Sequence, residues 1–422
     1  MKIIWLIALA ALLFAPVSAQ DSGTVIEPSP ALLAHIDELE NYAIEIRGLA
    51  PLTPVSRYFP SKEDLTVFLS GQFEDEATIE SLIEYEIIYK AFGLLAPDID
   101  LLTVYHELLV DQIGGYYDPE TKRMNTLLLS SDTLGDALPL LEQIVYVHEY
   151  THALQDQYYD LNSLLSDELA AANPDASAAI QALVEGDASE VMTLFVTALT
   201  EDKPDEVMSQ LGDMLAFSAS ADVPAGTPDI LTQELTFSYT QGQAFVEALI
   251  AEGGYAAVDA AFLNPPVSTE QIIHPEKYLA GELPIVVEMT DNAASLGDGW
   301  ILTYDKIGGE YFLRNWLKQG LGVLQIAVAA SGWGGDRYQL YTNPEGQVAL
   351  EWKLVFDTPT DQEQFLEYLP KGLTYQFGEP TADGMCWEAP DAGHTTCYAA
   401  LPDNGVLITR APSLALATAL LG

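Results

Sequence analysis

The chain has 422 residues, 49% of them hydrophobic, and carries 63 acidic against 16 basic side chains for a formal net charge of −47. The apolar fraction is ordinary and supplies cores for two or three domains. The acidic surface repels nucleic acid and anionic membranes, and its field draws cations, metals and basic substrates among them.

In chain order, Met1-Lys2, an apolar run over residues 3–14 and a small-x-small ending at Ala19 are the parts of a secretory signal, with cleavage expected after Ala19. The run is too short for a spanning helix. A secreted or extracytoplasmic protein with no integral membrane segment after cleavage is therefore expected; an uncleaved anchor is the alternative. Residues 20–30 read as a loose polar tail. Helical spacing covers residues 31–46, parts of 61–92, and 101–109. Residues 114–129 then read as a β-hairpin turned by Asp118-Pro119-Glu120-Thr121. Asp136 and Pro139 mark the start of a helix over residues 140–158, and Asn173-Pro174-Asp175 the start of another over about 176–199.

Pro204 and residues 224–228 read as loops. A helix is expected from Tyr239 to Glu252, stopped by Gly253-Gly254, and Asn264-Pro265-Pro266 breaks the chain. A further helix is expected over residues 304–319, then a glycine turn over 331–336. Residues 337–341 and 348–356 read as strands joined by Asn343-Pro344-Glu345-Gly346. Asp357-Thr358-Pro359 caps a helix to Tyr368. Short strands are expected at 375–377, 397–400 and 406–409, and a packed helix at the C-terminus. The only cysteines, Cys386 and Cys397, are expected to form a disulfide across a hairpin in an oxidising compartment.

The class expected from this pattern is α+β. A signal (1–19) and an N-terminal helical segment (20–100) precede a mainly helical domain with a small sheet (101–300). A smaller α+β domain (301–422) follows.

His148-Glu149-Tyr150-Thr151-His152 holds two of the six histidines. Four residues apart on a helix, they point the same way, and a carboxylate lies beside the first. That pattern binds zinc (Zn2+), with His148 and His152 as ligands and Glu149 as proton acceptor. Catalytic zinc takes three protein ligands. Asp156, Asp160, Glu168, Glu185, Asp187 and Glu190 are within reach in sequence. Glu185, on the next helix, is preferred, with Gly186 and Ala188 allowing close helix approach. Asp156 is preferred as an acceptor for an imidazole N–H. His274 and Tyr239 are the two candidates for stabilising an oxyanion. His35 and His106 read as structural, as do Tyr158 and Tyr159, and His394, between the cysteines, reads as a loop residue. The hairpin offers an edge strand for an extended peptide.

His-Glu-x-x-His followed by Leu183-Val184-Glu185-Gly186-Asp187-Ala188 resembles the gluzincin group of zinc metallopeptidases, the thermolysin-like clan. Residues 115–119, 152–157 and 268–278 resemble poorly characterised exported bacterial members of that clan. The likeness implies a zincin-like catalytic domain, zinc as cofactor, Glu185 as third ligand, and a peptide or protein substrate hydrolysed through a metal-bound water. It departs from thermolysin at Ser189, where an Asp is expected four residues after the glutamate; Asp156 or Asp187 is left for that role. The alternatives are a non-catalytic binding or assembly protein that retains the metal site, and a zinc hydrolase acting on a non-peptide bond.

Overall fold

A computed structural model describes residues 28–60, 76–110, 115–128, 133–210 and 227–422. The proposed signal and most of the loose tail lie outside the described residues, as do the first part of the 61–92 segment and most of the 224–228 loop. The side chain of His106 is likewise outside them. The chain resolves into two compact units, neither contiguous in sequence. One takes Met1–Glu84, Asp100–Asp167 and Ala179–Pro266; the other takes Tyr85–Ile99, Glu168–Ala178 and Val267–Gly422. The α+β class expected from the sequence is what is found.

The first unit is helical around one buried helix. Helix α1 (Pro30–Arg47) starts where Ser29 Oγ accepts the Leu32 N–H and ends at Gly48, in the left-handed region at φ 77°. Its buried face, Leu32, Ile36, Leu39, Ala43 and Arg47, repeats at helical intervals. Strand β1 (Ser56–Tyr58) follows, then α2 (Glu76–Phe92), whose residues from Tyr85 onward belong to the second unit, and α3 (Leu101–Val110). The expected hairpin is β2 (Gly115–Asp118) with β3 (Arg123–Thr126). Parallel pairing of β1 with β3 gives a three-stranded sheet in the order β1-β3-β2.

Helix α4 (Leu140–Tyr159) is buried at every position from Leu140 to Asp156. Core residues from α1, the small sheet and the following helix surround it. Polar side chains along α4 therefore need partners inside the protein. The next long helices are α5 (Pro174–Asp202), α6 (Asp229–Gly253) and α7 (Tyr255–Leu263). Tyr239 thus lies mid-helix, because the apolar pattern of α6 begins ten residues before it. The backbone is helical again over residues 204–210, so Pro204 opens a helix instead of a loop.

The second unit includes the short helices α8 (Thr269–Ile273) and α9 (Pro275–Ala280) and a six-stranded antiparallel sheet. Its later elements are β4 (Ile301–Lys306), α10 (Gly309–Leu317), α11 (Val323–Ala330), β5 (Trp333–Thr342), β6 (Val348–Phe356) and α12 (Pro359–Phe377). β7 (Cys386–Ala389), β8 (His394–Ala400), β9 (Gly405–Ala411) and α13 (Leu414–Leu421) complete it. The sheet order is β4-β5-β6-β9-β8-β7. Buried Asp336 accepts the indole N–H groups of Trp333 and Trp352 and the main-chain N–H groups of Gly308 and Gly309.

Several expectations are corrected here. Residues 301–306 are a strand, and the helix begins only at Gly309, where the apolar residues take up helical spacing. Gly334 and Gly335 belong to β5; a Cβ on Gly335 would lie 2.2 Å from the Ile285 carbonyl oxygen, so glycine here makes room for backbone and not for a turn. Residues 375–377 end α12, which continues through Pro370. His394 is a strand residue and not a loop residue. The Cys386–Cys397 disulfide is present and links paired residues of β7 and β8.

Candidate metal centre

All the residues of this site belong to the first unit. One turn of α4 stacks His148 and His152, their rings meeting edge to face at 4.7 Å. Their Nε2 atoms are 3.1 Å apart. Glu185, on α5, sends Oε2 to 3.2 Å from His148 Nε2 and 3.5 Å from His152 Nε2. All three side chains are buried. Tetrahedral zinc at about 2.0–2.1 Å from each ligand requires donor separations of about 3.3 Å. The three edges lie close to that value, and two imidazoles with one carboxylate are a donor set that zinc accepts.

The electrostatics suit a cation. Burial alone would raise Glu185, but His152 and His148 overcome it and hold the carboxyl well below its usual range. Burial pulls His152 down, yet Glu185 and Glu149 outweigh it and raise the imidazole; His148 is lowered, chiefly by burial. A buried, ionised carboxylate paired with protonated imidazole occupies the arrangement that carboxylate, neutral imidazole and a divalent ion would take.

Glu149 is held beside this triangle by the small sheet. Its Oε2 accepts the main-chain N–H of Tyr117 on β2 at 2.9 Å. Its Oε1 is buried and has no hydrogen-bond partner among the described residues. Burial raises this carboxyl to about 8. It is thus a basic carboxylate with one free oxygen. The close seating follows from Gly115, where a Cβ would meet Val145 Cγ1 and the Asn125 carbonyl at 3.1 Å. The edge of β2, expected to hold an extended peptide, commits its Tyr117 N–H to Glu149 instead.

Tyr239 comes to the same place. Its ring lies 6.0 Å from that of His148, and its hydroxyl hydrogen-bonds the Glu185 carboxylate. Burial, then Glu185 and Glu149, raise the phenol well above its usual value, so it stays an O–H donor. Glycine sets this approach. A Cβ on Gly186 would lie 2.2 Å from the Gly242 carbonyl, and one on Gly242 would lie 2.0 Å from the Ala182 carbonyl oxygen. Gly186 therefore admits α6, and not, as expected, the histidine helix.

A family model described as "Domain of unknown function (DUF8575)" matches residues 280–421. Endoglucanase 22 of Arabidopsis thaliana is 30% identical over 138 residues, 31% of this chain and 27% of that protein. The chain spans about a quarter of the length of that relative. No solved structure matches.

The remaining acids have other partners. Asp156 does not face an imidazole: its Oδ2 accepts Lys122 Nζ at 2.6 Å and the Tyr117 hydroxyl at 2.7 Å. Asp187 is bound by Arg47 and Gln155, Glu190 by Gln243, and Asp160 caps the end of α4. Glu168 falls in the second unit. The residue that meets His152 Nδ1 is Gln155, whose Oε1 is 2.8 Å away. Spacing carried a signal for it, since residues three apart on a helix are neighbours.

In the second unit, His274 Nε2 lies 3.2 Å from Glu310 Oε1, a carboxylate also bound by Arg314. Glu270, Glu282 and Asp357 form a second acidic group. Lys277 Nζ lies between them, 2.6, 2.7 and 2.5 Å from the three carboxylates, so an ammonium already occupies the centre of that cluster.

Proposed function

We propose that this chain is an exported zinc-dependent metallopeptidase of the gluzincin type. The observation that carries the reading is the triangle of His148 Nε2, His152 Nε2 and Glu185 Oε2, with edges of 3.1, 3.2 and 3.5 Å between buried side chains of α4 and α5. Zinc, when bound, supplies Lewis-acid activation of water and of a scissile carbonyl.

The chain's own residues do the rest. Glu149 takes a proton at its free Oε1 and returns it to the leaving amine. The Tyr117 N–H keeps the other oxygen in place. Tyr239 donates its O–H to the carbonyl oxygen as that atom becomes negative. In this reading His274 serves the second unit through Glu310 and takes no part in the chemistry.

A purely structural metal site has no use for a basic carboxylate with an unpartnered oxygen, which favours a catalytic role over a binding or assembly role. The test is digestion of a peptide library by the zinc-loaded chain, with a β-glucan and a cell-wall amide as contrasting substrates. Cleavage of peptides that stops on chelation supports the proposal. Turnover of a contrasting substrate alone reassigns the bond, and no turnover of any kind favours the binding protein.

A further inference from the structure

Beyond the ligands runs a chain of hydrogen bonds that converges on Asp187. Gln155 Oε1 lies 2.8 Å from His152 Nδ1. Its Nε2 donates to the Val184 carbonyl at 3.0 Å and to Asp187 Oδ2 at 2.9 Å. Asp187 Oδ2 also accepts Arg47 Nε at 2.8 Å, and Arg47 Nη2 donates to Asp259 Oδ1 at 2.8 Å. Arg47 lies over the Tyr255 ring, 4.8 Å from its centroid, and Tyr159 donates to the same Asp259 oxygen. Arg47, Asp187 and Gln155 are each 1% exposed or less.

The chemistry of these groups fixes the polarity. A carbonyl and a carboxylate only accept, so the amide nitrogen of Gln155 must face them. Its oxygen must then face His152. An oxygen there requires a proton on Nδ1, and a neutral imidazole with Nδ1–H has its lone pair on Nε2, toward the triangle. The geometry points to Arg47, Asp187 and Gln155 as positioning residues that set the tautomer and ring orientation of His152 from the end of α1, and so tighten zinc binding. This rests on the metal-centre reading above and adds three residues to it.

The test is zinc affinity by competition with a chromophoric chelator, with circular dichroism as the check on folding. Gln155→Met keeps the length and removes both polar ends; its zinc affinity is expected to fall by about 10–100-fold with the fold retained. Asp187→Asn relaxes one of the two acceptors that orient the amide, and is expected to lose affinity in the same direction by a smaller factor. It carries the test if Gln155→Met does not fold. Wild-type zinc binding with both variants within about twofold of it overturns the relay and leaves the metal centre standing. A folded wild type that takes up no zinc overturns the metal centre and the relay with it.

Discussion

Tyr117 and Glu149 are joined by one hydrogen bond, 2.9 Å from a main-chain N–H on β2 to Oε2 on α4. β2 is an edge of the three-stranded sheet, so this N–H is not needed by a neighbouring strand. A sheet edge thereby fixes one oxygen of the carboxylate and leaves the other free. Glutamine at 149 keeps an oxygen for Tyr117 but cannot accept a proton. Glu149→Gln is expected to bind zinc as the wild type does and to lose peptide hydrolysis by about 10²–10⁴-fold. Steady-state kinetics with a metal assay check it; undiminished turnover removes Glu149 from its role.

Tyr239 reaches the Glu185 carboxylate through its hydroxyl, and Tyr239→Phe removes that group while keeping the ring. Loss of one preorganised donor is expected to lower kcat by about 10²–10³-fold with little change in KM or zinc content. A drop in zinc affinity with unaltered kcat would make Tyr239 a holder of Glu185 instead.

Gly186 and Gly242 let α5 and α6 touch backbone to backbone. Because the new Cβ would sit 2.2 Å from the Gly242 carbonyl, Gly186→Ala forces the helices apart. Thermal unfolding should show a loss of about 1–3 kcal/mol or more. An unchanged melting temperature would mean that the contact yields freely.

In the second unit, the Glu310 hydrogen bond raises the pKa of His274 above its model-peptide value of 6.5. A raised imidazole pKa stabilises the fold fully below the unfolded value and ceases to do so as pH rises through the folded one. Urea unfolding of wild type and His274→Gln should therefore differ more at pH 5.5 than at pH 8.5. A difference that is constant or grows with pH contradicts the pairing.

Much of this was legible in the sequence where the signal is local. His148, Glu149 and His152 declare themselves by helical spacing, and Asn343-Pro344-Glu345-Gly346 correctly joins two strands. Glu185 emerged from a resemblance and from the helix start at Asn173-Pro174. What sequence did not reveal depends on partners distant along the chain. Gln155 matters because Val184 and Asp187 lie opposite it, and Arg47 because α1 ends beside Asp187. The parallel pairing of β1 with β3 has no turn signal at all. Residues 375–377 have strand-like aromatic character, but the helix begun at Thr358 carries through them.

The central claim is that His148, His152 and Glu185 grip one ion. Zinc content after dialysis, with affinity by chelator competition, tests it most directly for wild type and Glu185→Ala. About one zinc per wild-type chain is expected, with affinity at least about 100-fold weaker in the variant. A folded wild type without zinc, or a variant that holds it equally well, would contradict the account.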